Sequence, residues 1–286
     1  MRSEKPSRTA QFVAFNRAVS TLAPDVPGFS DPVAAAFLPE DWRNRLERIE
    51  RSLAAKPGKS PYPFWVRRGN CVVNQFRTVV LDRAILSALP VPQLVILGAG
   101  FDSRAWRLEG LENTTVFEVD HPATQALKRE RAGKRAAKAR DVRFVPTDFR
   151  HGDLARVLQS AGYDAQRPAF WLWEGVALYL RPAEVAANLA VFASLSAAGS
   201  RLALTYLNKD RGRTRGSVFL ALLGEPIRSA YSPSEMAEAA KACQWAVTAD
   251  SGIEDWLRDL TPGMRLTRRQ AGLQWLERIS VAEKSS

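Results

Sequence analysis

Short apolar runs in the middle of this 286-residue chain constrain its fold more than any other feature. The runs are rich in Val, Ile, Leu, Phe and Trp, and they occupy residues 93–97, 114–119, 142–146, 169–173 and 201–206. Segments with helical periodicity separate or follow them, at residues 123–140, 154–161, 183–196 and 234–243. Near-continuous apolar strands that alternate with helices are typical of a parallel sheet covered on both faces. The sequence therefore predicts a doubly wound α/β domain.

The beginning of the chain has a different pattern, which indicates helices and no strands. Predicted helices occupy residues 7–22, 31–38, 39–55 and 70–89, and capping residues or prolines mark their starts and ends. Two further short strands, at residues 245–248 and 279–281, would complete a seven-stranded, mostly parallel sheet. We therefore expect a single domain with a helical N-terminal cap over residues 1–90 and an α/β core over residues 91–286.

The chain is basic, with 41 Lys and Arg against 30 Asp and Glu, a net charge of +11. Such a protein attracts anions, which include nucleic acids and acidic small molecules. The charge is concentrated between Lys128 and Arg143, a segment that contains eight cationic and two anionic residues. A solvated helix face explains this run most simply, and no aromatic residues alternate with the cations as in a single-strand binding platform. Nucleic-acid binding is therefore the less favoured interpretation.

The counts of cysteine and histidine exclude several kinds of site. Cys71 and Cys243 lie far apart and outside any metal-binding motif, and His121 and His151 are the two histidines. Neither a disulfide framework nor a zinc site is expected, and a reducing compartment such as the cytoplasm fits best. The sequence also contains no apolar run long enough for a membrane span and no secretory signal at its N-terminus.

Ligands of doubly wound sheets bind beyond the carboxyl ends of the strands, so the residues that follow each strand are the candidate site. Gly98, Ala99 and Gly100 follow the first strand, where two glycines allow a tight turn and close approach of a ligand. Asp120 follows the second strand, twenty residues beyond Gly100, where a carboxylate can accept from both hydroxyls of a ribose. Asp148 follows the third. The pattern predicts a cofactor that contains adenosine.

The turn itself favours one such cofactor over another. A dinucleotide site usually has a third glycine where this chain has Ser103, and the neighbouring Asp102 places a carboxylate near the turn. A carboxylate repels a diphosphate but is compatible with a sulfonium cation. These residues therefore favour S-adenosyl-L-methionine over a nicotinamide dinucleotide, and a nicotinamide-dependent oxidoreductase is the alternative.

Glu174 follows the fourth strand and lies between two strongly apolar segments. A buried carboxylate is costly unless it has a partner. A salt bridge to an arginine or a helix cap would be one explanation. The functional interpretation is that this carboxylate faces the amino group of the cofactor's methionine moiety.

Several motifs resemble the leucine carboxyl methyltransferase family, including its bacterial members that act on small molecules. They are RTA…NRAV at residues 8–19, DP at 31–32, FRTVVLD at 76–82, VILGAGFDSRAWRL at 95–108, FEVDHP at 117–122, TDF at 147–149 and WEGVALYL at 173–180. The C-terminal ERISVAEK resembles the last strand of the family. The usual class I methyltransferase has an acid two residues before the first glycine, and this chain has Ile96 there.

The resemblance implies a Rossmann-like class I methyltransferase fold and roles for individual residues. Arg77 would pair with the carboxylate of the cofactor's methionine moiety, and Glu174 would bind its amino group. Asp120 would bind the ribose, Asp148 and Phe149 would bind the adenine, and the Gly98–Gly100 turn would approach the cofactor. Protein-methylating members have a Lys-Arg pair where this chain has Asn16 and Arg17, so the lysine of that pair has no counterpart here.

A small carboxylic acid is the expected methyl acceptor. A carboxylate with a pKa of about 4 is ionised at neutral pH and needs no general base, so no catalytic side chain is predicted. The anion would be held by Tyr179, Tyr206 and arginines of a lid at residues 208–232, of which Arg211 is the first candidate. RNA modification and a fold that binds the cofactor without catalysis remain open, as does the oligomeric state.

Overall fold

The sheet predicted from the apolar runs is present in the computed structural model, which describes residues 7–56, 61–62, 68–147, 153–211 and 226–285. The strands within these residues follow the order β3-β2-β1-β4-β5-β7-β6. They are β1 (Gln93–Leu97), β2 (Thr115–Asp120), β3 (Asp141–Pro146), β4 (Ala169–Trp173), β5 (Arg201–Leu207), β6 (Trp245–Gly252) and β7 (Glu277–Lys284). β7 is antiparallel to β5 and β6, and the other neighbours are parallel. The predicted seven-stranded, mostly parallel sheet is confirmed.

Helices cover both faces of this sheet, and three long ones precede the first strand. The N-terminal helices are α1 (Arg8–Leu22), α2 (Glu40–Ala55) and α3 (Arg68–Ser87), with a short 3₁₀ helix at Ala34–Phe37. The later helices are α4 (Arg104–Arg107), α5 (Pro122–Ala132), α6 (Leu154–Ser160), α7 (Pro182–Ser194), α8 (Pro233–Ala242), α9 (Ile253–Leu260) and α10 (Arg268–Ala271). Further 3₁₀ turns include Ala177–Tyr179, directly after β4.

The apolar runs are continuous because both faces of the central strands are buried. Every residue of β1 and of β4 is buried. Leu94 and Ile96 pack in the cluster that contains the N-terminal helices, whereas Val95 and Leu97 pack in the cluster on the other face. This alternation is the period of two that a strand imposes on its side chains.

The basic run after β2 differs from its prediction. The helix expected over residues 123–140 ends at Ala132, because Gly133 follows with a φ of 54°. Beyond it, the backbone N–H of Lys138 donates to the carbonyl of Ala105 at 2.9 Å. Lys128 is fully buried and lies 2.6 Å from the carboxylate of Glu118. The eight cations therefore do not form a single helical face.

Two further observations concern the described residues as a whole. None of their helices combines the length and the apolar character that a membrane span requires. No group of three or more His, Cys, Asp or Glu side chains in the described part of the chain could hold a metal ion.

Candidate active site

A cavity of about 280 Å³ lies at the edge of the sheet where β1, β2 and β4 end. Parallel strands bring their carboxyl ends to one edge, so segments distant in sequence meet there. The Gly98–Gly100 turn, Asp120 and Glu174 all line this cavity. Arg17 of α1 and Arg77 of α3 line it as well, so the N-terminal helices form part of its wall.

The turn after β1 requires glycine at two positions. Gly98 has a φ of 67° and Gly100 a φ of 47°, in the left-handed region that other residues avoid. The backbone N–H groups of Gly98 and Ala99 donate to the carbonyl of Val119 at 2.8 and 3.0 Å, which ties the turn to the end of β2. A Cβ atom at Gly98 would lie 2.3 Å from Cγ2 of Val176. The backbone itself therefore forms this part of the cavity wall.

Substitution of Gly98 by alanine should deform this wall. The variant Gly98→Ala is expected to lose about 1–3 kcal/mol more stability than Gly199→Ala, since both have a positive φ but only Gly98 has a side chain in the way. Denaturant unfolding of the two variants measures this difference. We also expect Gly98→Ala to bind S-adenosylhomocysteine (SAH) at least about tenfold more weakly than the unaltered protein, whereas Gly199→Ala should bind it with unchanged affinity. Equal losses of stability and affinity in both variants would contradict the assignment of the turn.

Asp120 lies at the end of β2 and lines the same cavity. Its Oδ2 accepts a hydrogen bond from the N–H of Gly100 at 2.5 Å, and its Oδ1 accepts one from the N–H of His121 at 2.5 Å. Burial raises the pKa of Asp120, although these two hydrogen bonds act in the opposite direction. Each carboxylate oxygen keeps a further lone pair with which it can accept from a ligand hydroxyl.

Glu174 is the point at which three arginines meet. Its Oε1 accepts from Arg17 at 2.8 Å and from Arg77 at 2.8 Å, and its Oε2 accepts from Arg104 at 2.8 Å. Burial alone would raise the pKa of Glu174, but the charges of Arg104, Arg17 and Arg77 outweigh it and hold the pKa well below its usual range. The carboxylate is thus paired with arginines, which offsets the cost of burying its charge. It also lines the cavity, where a bound ligand could reach it.

Arg104 extends this cluster away from the cavity. It is fully buried and donates to Asp82 at 2.7 Å, to Asp102 and to Glu174. Arg107 also donates to Asp82, at 2.6 Å. Arg104 lies within the GFDSRAWRL motif, but no local pattern there marks it as a site residue.

The position of Asp102 corrects one argument drawn from the sequence. The sequence predicts that Asp102 adds negative charge beside the cofactor. Its carboxylate instead accepts from both the backbone N–H and the guanidinium of Arg104, so its charge is compensated. The nearby charge of Arg104 lowers the pKa of Asp102 against the effect of burial. Asp102 by itself therefore does not discriminate between a sulfonium and a diphosphate.

The other predicted residues separate into three groups. Arg77 and Tyr179 line the cavity, and Arg77 also donates to Glu277 at 2.8 Å. Tyr206 and Arg211 are not among the lining residues: Tyr206 is buried and donates to Asp250 at 2.9 Å, and Arg211 pairs with Glu254. Three predicted features lie outside the described residues, namely Asp148, Phe149 and most of the proposed lid at 208–232.

Two lining arginines were not predicted to have their present roles. Arg17 contacts Glu174 directly, and this contact settles where the arginine of the Asn16-Arg17 pair lies. Arg228 lines the cavity from the segment before α8. The predicted lid includes Arg228, but its sequence context has no regular pattern and the arginine cluster at residues 211–215 was the stronger signal.

Comparisons with known proteins agree with this architecture. The model of the family described as "Leucine carboxyl methyltransferase" matches residues 10–193. A protein of Mycolicibacterium gilvum named "Putative S-adenosyl-L-methionine-dependent methyltransferase" is 36% identical over 232 residues, which cover 77% of this chain and 71% of that protein. S-adenosyl-L-methionine, the cofactor predicted from the sequence, is thus the one in the name of this relative.

Solved structures support the fold. A structure from Thermobifida fusca titled a "putative methyltransferase" has a TM-score of 0.55 and 16% identity, and the match covers 99% of this chain and 96% of that one. The magnesium protoporphyrin IX methyltransferase of Synechocystis PCC 6803, solved with bound SAH, has a TM-score of 0.50 and 15% identity. The match covers 89% of this chain and 99% of that one. The predicted class I methyltransferase fold is confirmed. The family model matches more than half of the residues of this chain. The chain therefore belongs to the leucine carboxyl methyltransferase family.

Proposed function

We propose that this S-adenosyl-L-methionine-dependent methyltransferase transfers the methyl group to a carboxylate of a small acidic molecule. One observation carries the proposal: the cavity has guanidinium groups for an anion and no histidine free to act as a base among its described lining residues. Arg17 and Arg77 are paired with Glu174, whereas Arg228 has no carboxylate partner among the described residues. The lining histidine, His121, uses its Nδ1 to accept the N–H of Ala123 at 3.3 Å and so caps α5.

The residues at the cavity fit the cofactor. The glycine turn leaves no room for a Cβ at Gly98, so backbone can approach a ligand closely, and the buried Nε of Arg17 has no partner among the described residues. Asp120 would bind the ribose hydroxyls, and Arg77 and Glu174 would bind the carboxylate and the amino group of the methionine moiety. Asp148 and Phe149 keep the adenine-binding role that the resemblance implies. When bound, the cofactor supplies an electrophilic methyl group on a sulfonium.

The chain's own contribution is then positioning and desolvation. An acceptor carboxylate is already ionised at neutral pH, so no side chain has to remove a proton from it. The wall formed by the N-terminal helices excludes water, and the cationic side chains orient the acceptor toward the cofactor. The net charge of +11 raises the local concentration of acidic molecules.

The nature of the acceptor predicts the pH dependence. We expect kcat to be constant from about pH 6 to about pH 8.5, because a carboxylate with a pKa of about 4 does not titrate in this range. Radiolabelled S-adenosyl-L-methionine and a panel of carboxylic acids provide the assay, and label that mild base releases from the product establishes a methyl ester. A kcat that rises tenfold per pH unit, together with base-stable label on a phenol or an amine, would contradict carboxylate methylation.

A further inference from the structure

The segment that precedes α8 is fastened to the turn that follows β4. The backbone N–H of Arg228 donates to the carbonyl of Leu178 at 2.8 Å, and that of Ser229 donates to the same carbonyl at 3.3 Å. The Ser229 hydroxyl donates to the carbonyl of Ala177 at 2.9 Å. These bonds hold Arg228 beside the 3₁₀ turn Ala177–Tyr179, only a few residues after Glu174. These hydrogen bonds therefore fix the backbone of Arg228 at the rim of the cavity.

Arg228 differs from the other arginines that line the cavity. Arg17 and Arg77 are buried and paired with Glu174. Arg228 is exposed, and no carboxylate of a described residue lies within 4.0 Å of its guanidinium. Glu184 also lines the cavity, but its carboxylate accepts the N–H of Arg181 at 2.5 Å and caps α7. Among the described lining residues, Arg228 thus offers a positive charge that no partner compensates.

A guanidinium binds a carboxylate through two parallel hydrogen bonds. Such a pair on the attacking carboxylate would occupy the lone pairs that the reaction needs. An exposed arginine away from the Glu174 cluster is better suited to a remote anionic group, which orients the acceptor without lowering the nucleophilicity of the reacting oxygen.

We propose that Arg228 binds an anionic group of the acceptor other than the carboxylate that is methylated, so that the preferred acceptors are small dianionic acids. This inference rests on the proposed carboxyl methylation. It assigns acceptor selection to Arg228 in place of Tyr206 and Arg211, which do not line the cavity. Arg228 is a specificity-determining residue in this scheme and takes no part in binding the cofactor.

The experiment compares α,ω-dicarboxylic acids with monocarboxylic acids of the same chain length. With the unaltered protein we expect kcat/KM to be about 10- to 100-fold higher for the diacids. Arg228→Gln should remove that preference, because KM should rise far more for diacids than for monoacids, and the Kd of SAH should stay unchanged. Arg228→Lys should restore part of the preference, and Arg48→Gln, which removes an exposed arginine of α2, should leave it intact.

The outcomes separate the two proposals. If monoacids and diacids are methylated equally well, or if Arg228→Gln keeps the preference, carboxyl methylation stands and the role of Arg228 is rejected. If the panel yields no methyl ester, the proposed function is rejected, and the inference with it. A parallel loss of SAH binding in Arg228→Gln would show a structural effect and would also overturn the assignment.

Discussion

Glu174→Gln is expected to lower the free energy of unfolding by about 3–5 kcal/mol and to weaken SAH binding at least about tenfold. Glutamine preserves the shape of the side chain but removes the charge that faces three buried guanidinium groups. Arg77 keeps Glu277 and Arg104 keeps Asp82, whereas Arg17 loses the one carboxylate it contacts among the described residues. A buried charge without a partner is among the most destabilising changes in a folded protein.

Urea unfolding and calorimetric titration with SAH measure the two effects. Glu254→Gln is the matched control, because it removes the partner of Arg211 at an exposed site and should change both quantities little. The double variant Glu174→Gln/Arg17→Met should recover part of the stability, since it removes the uncompensated cation. Unfolding and SAH affinity equal to those of the unaltered protein would show that Glu174 does not organise the site.

Lys128→Met should destabilise the protein strongly at alkaline pH and weakly at acidic pH. Lys128 and Glu118 are both fully buried, with 2.6 Å between Nζ and Oε2. Burial raises the pKa of Glu118 to about 7, while the charge of Lys128 opposes this rise. Without the lysine, the folded-state pKa of Glu118 moves higher still.

The sign of the effect follows from linkage. A carboxyl group with a raised pKa in the folded state stabilises the fold while it is protonated, and that stability is lost as the pH rises through the folded pKa. In the unaltered protein the loss ends near pH 7, the pKa of Glu118. In Lys128→Met the loss continues above pH 7 by about 1.4 kcal/mol per pH unit, which adds about 2 kcal/mol of lost stability between pH 7 and about pH 8.5.

Unfolding curves at about pH 5 and about pH 8.5 provide the measurement. Lys138→Met serves as the control, because Lys138 pairs with Glu109 at 2.9 Å while both side chains remain largely exposed. That variant should unfold with no added pH dependence. If Lys128→Met lowers the free energy of unfolding equally at both pH values, Glu118 is excluded as the origin of the effect.

The sequence predicted the centre of the fold well because its signal is local. The runs at 93–97 and 169–173 coincide with β1 and β4, since continuous apolar character arises when both faces of a strand are buried. The elements after β6 were less clear: α9 and α10 were not predicted, and the last two strands are longer than expected. These C-terminal strands are half-exposed or antiparallel, so their pattern is weaker.

The ion pairs around Glu174 could not be predicted from the sequence to the same extent. Arg77 and Glu277 are 200 residues apart, and nothing local relates them. Arg104 looks like any other arginine in a short helical motif, yet it is fully buried between three carboxylates. Tyr206 lies near the end of a predicted strand, but its side chain is on the face shared with Leu202 and Leu204 and donates to Asp250.

The order of apolar runs, the glycine turn and the acids that end the strands by themselves determined the class of the fold, the edge of the sheet where the candidate site lies and the prediction of a cofactor that contains adenosine. Such features depend on periodicity and on backbone conformation, which a few neighbouring residues specify. Only the tertiary structure decided which arginines neutralise Glu174, that Asp102 is compensated, and that Arg228 faces the cavity where Arg211 does not. Pairing between charges depends on which distant segments pack together, and a linear pattern does not record that.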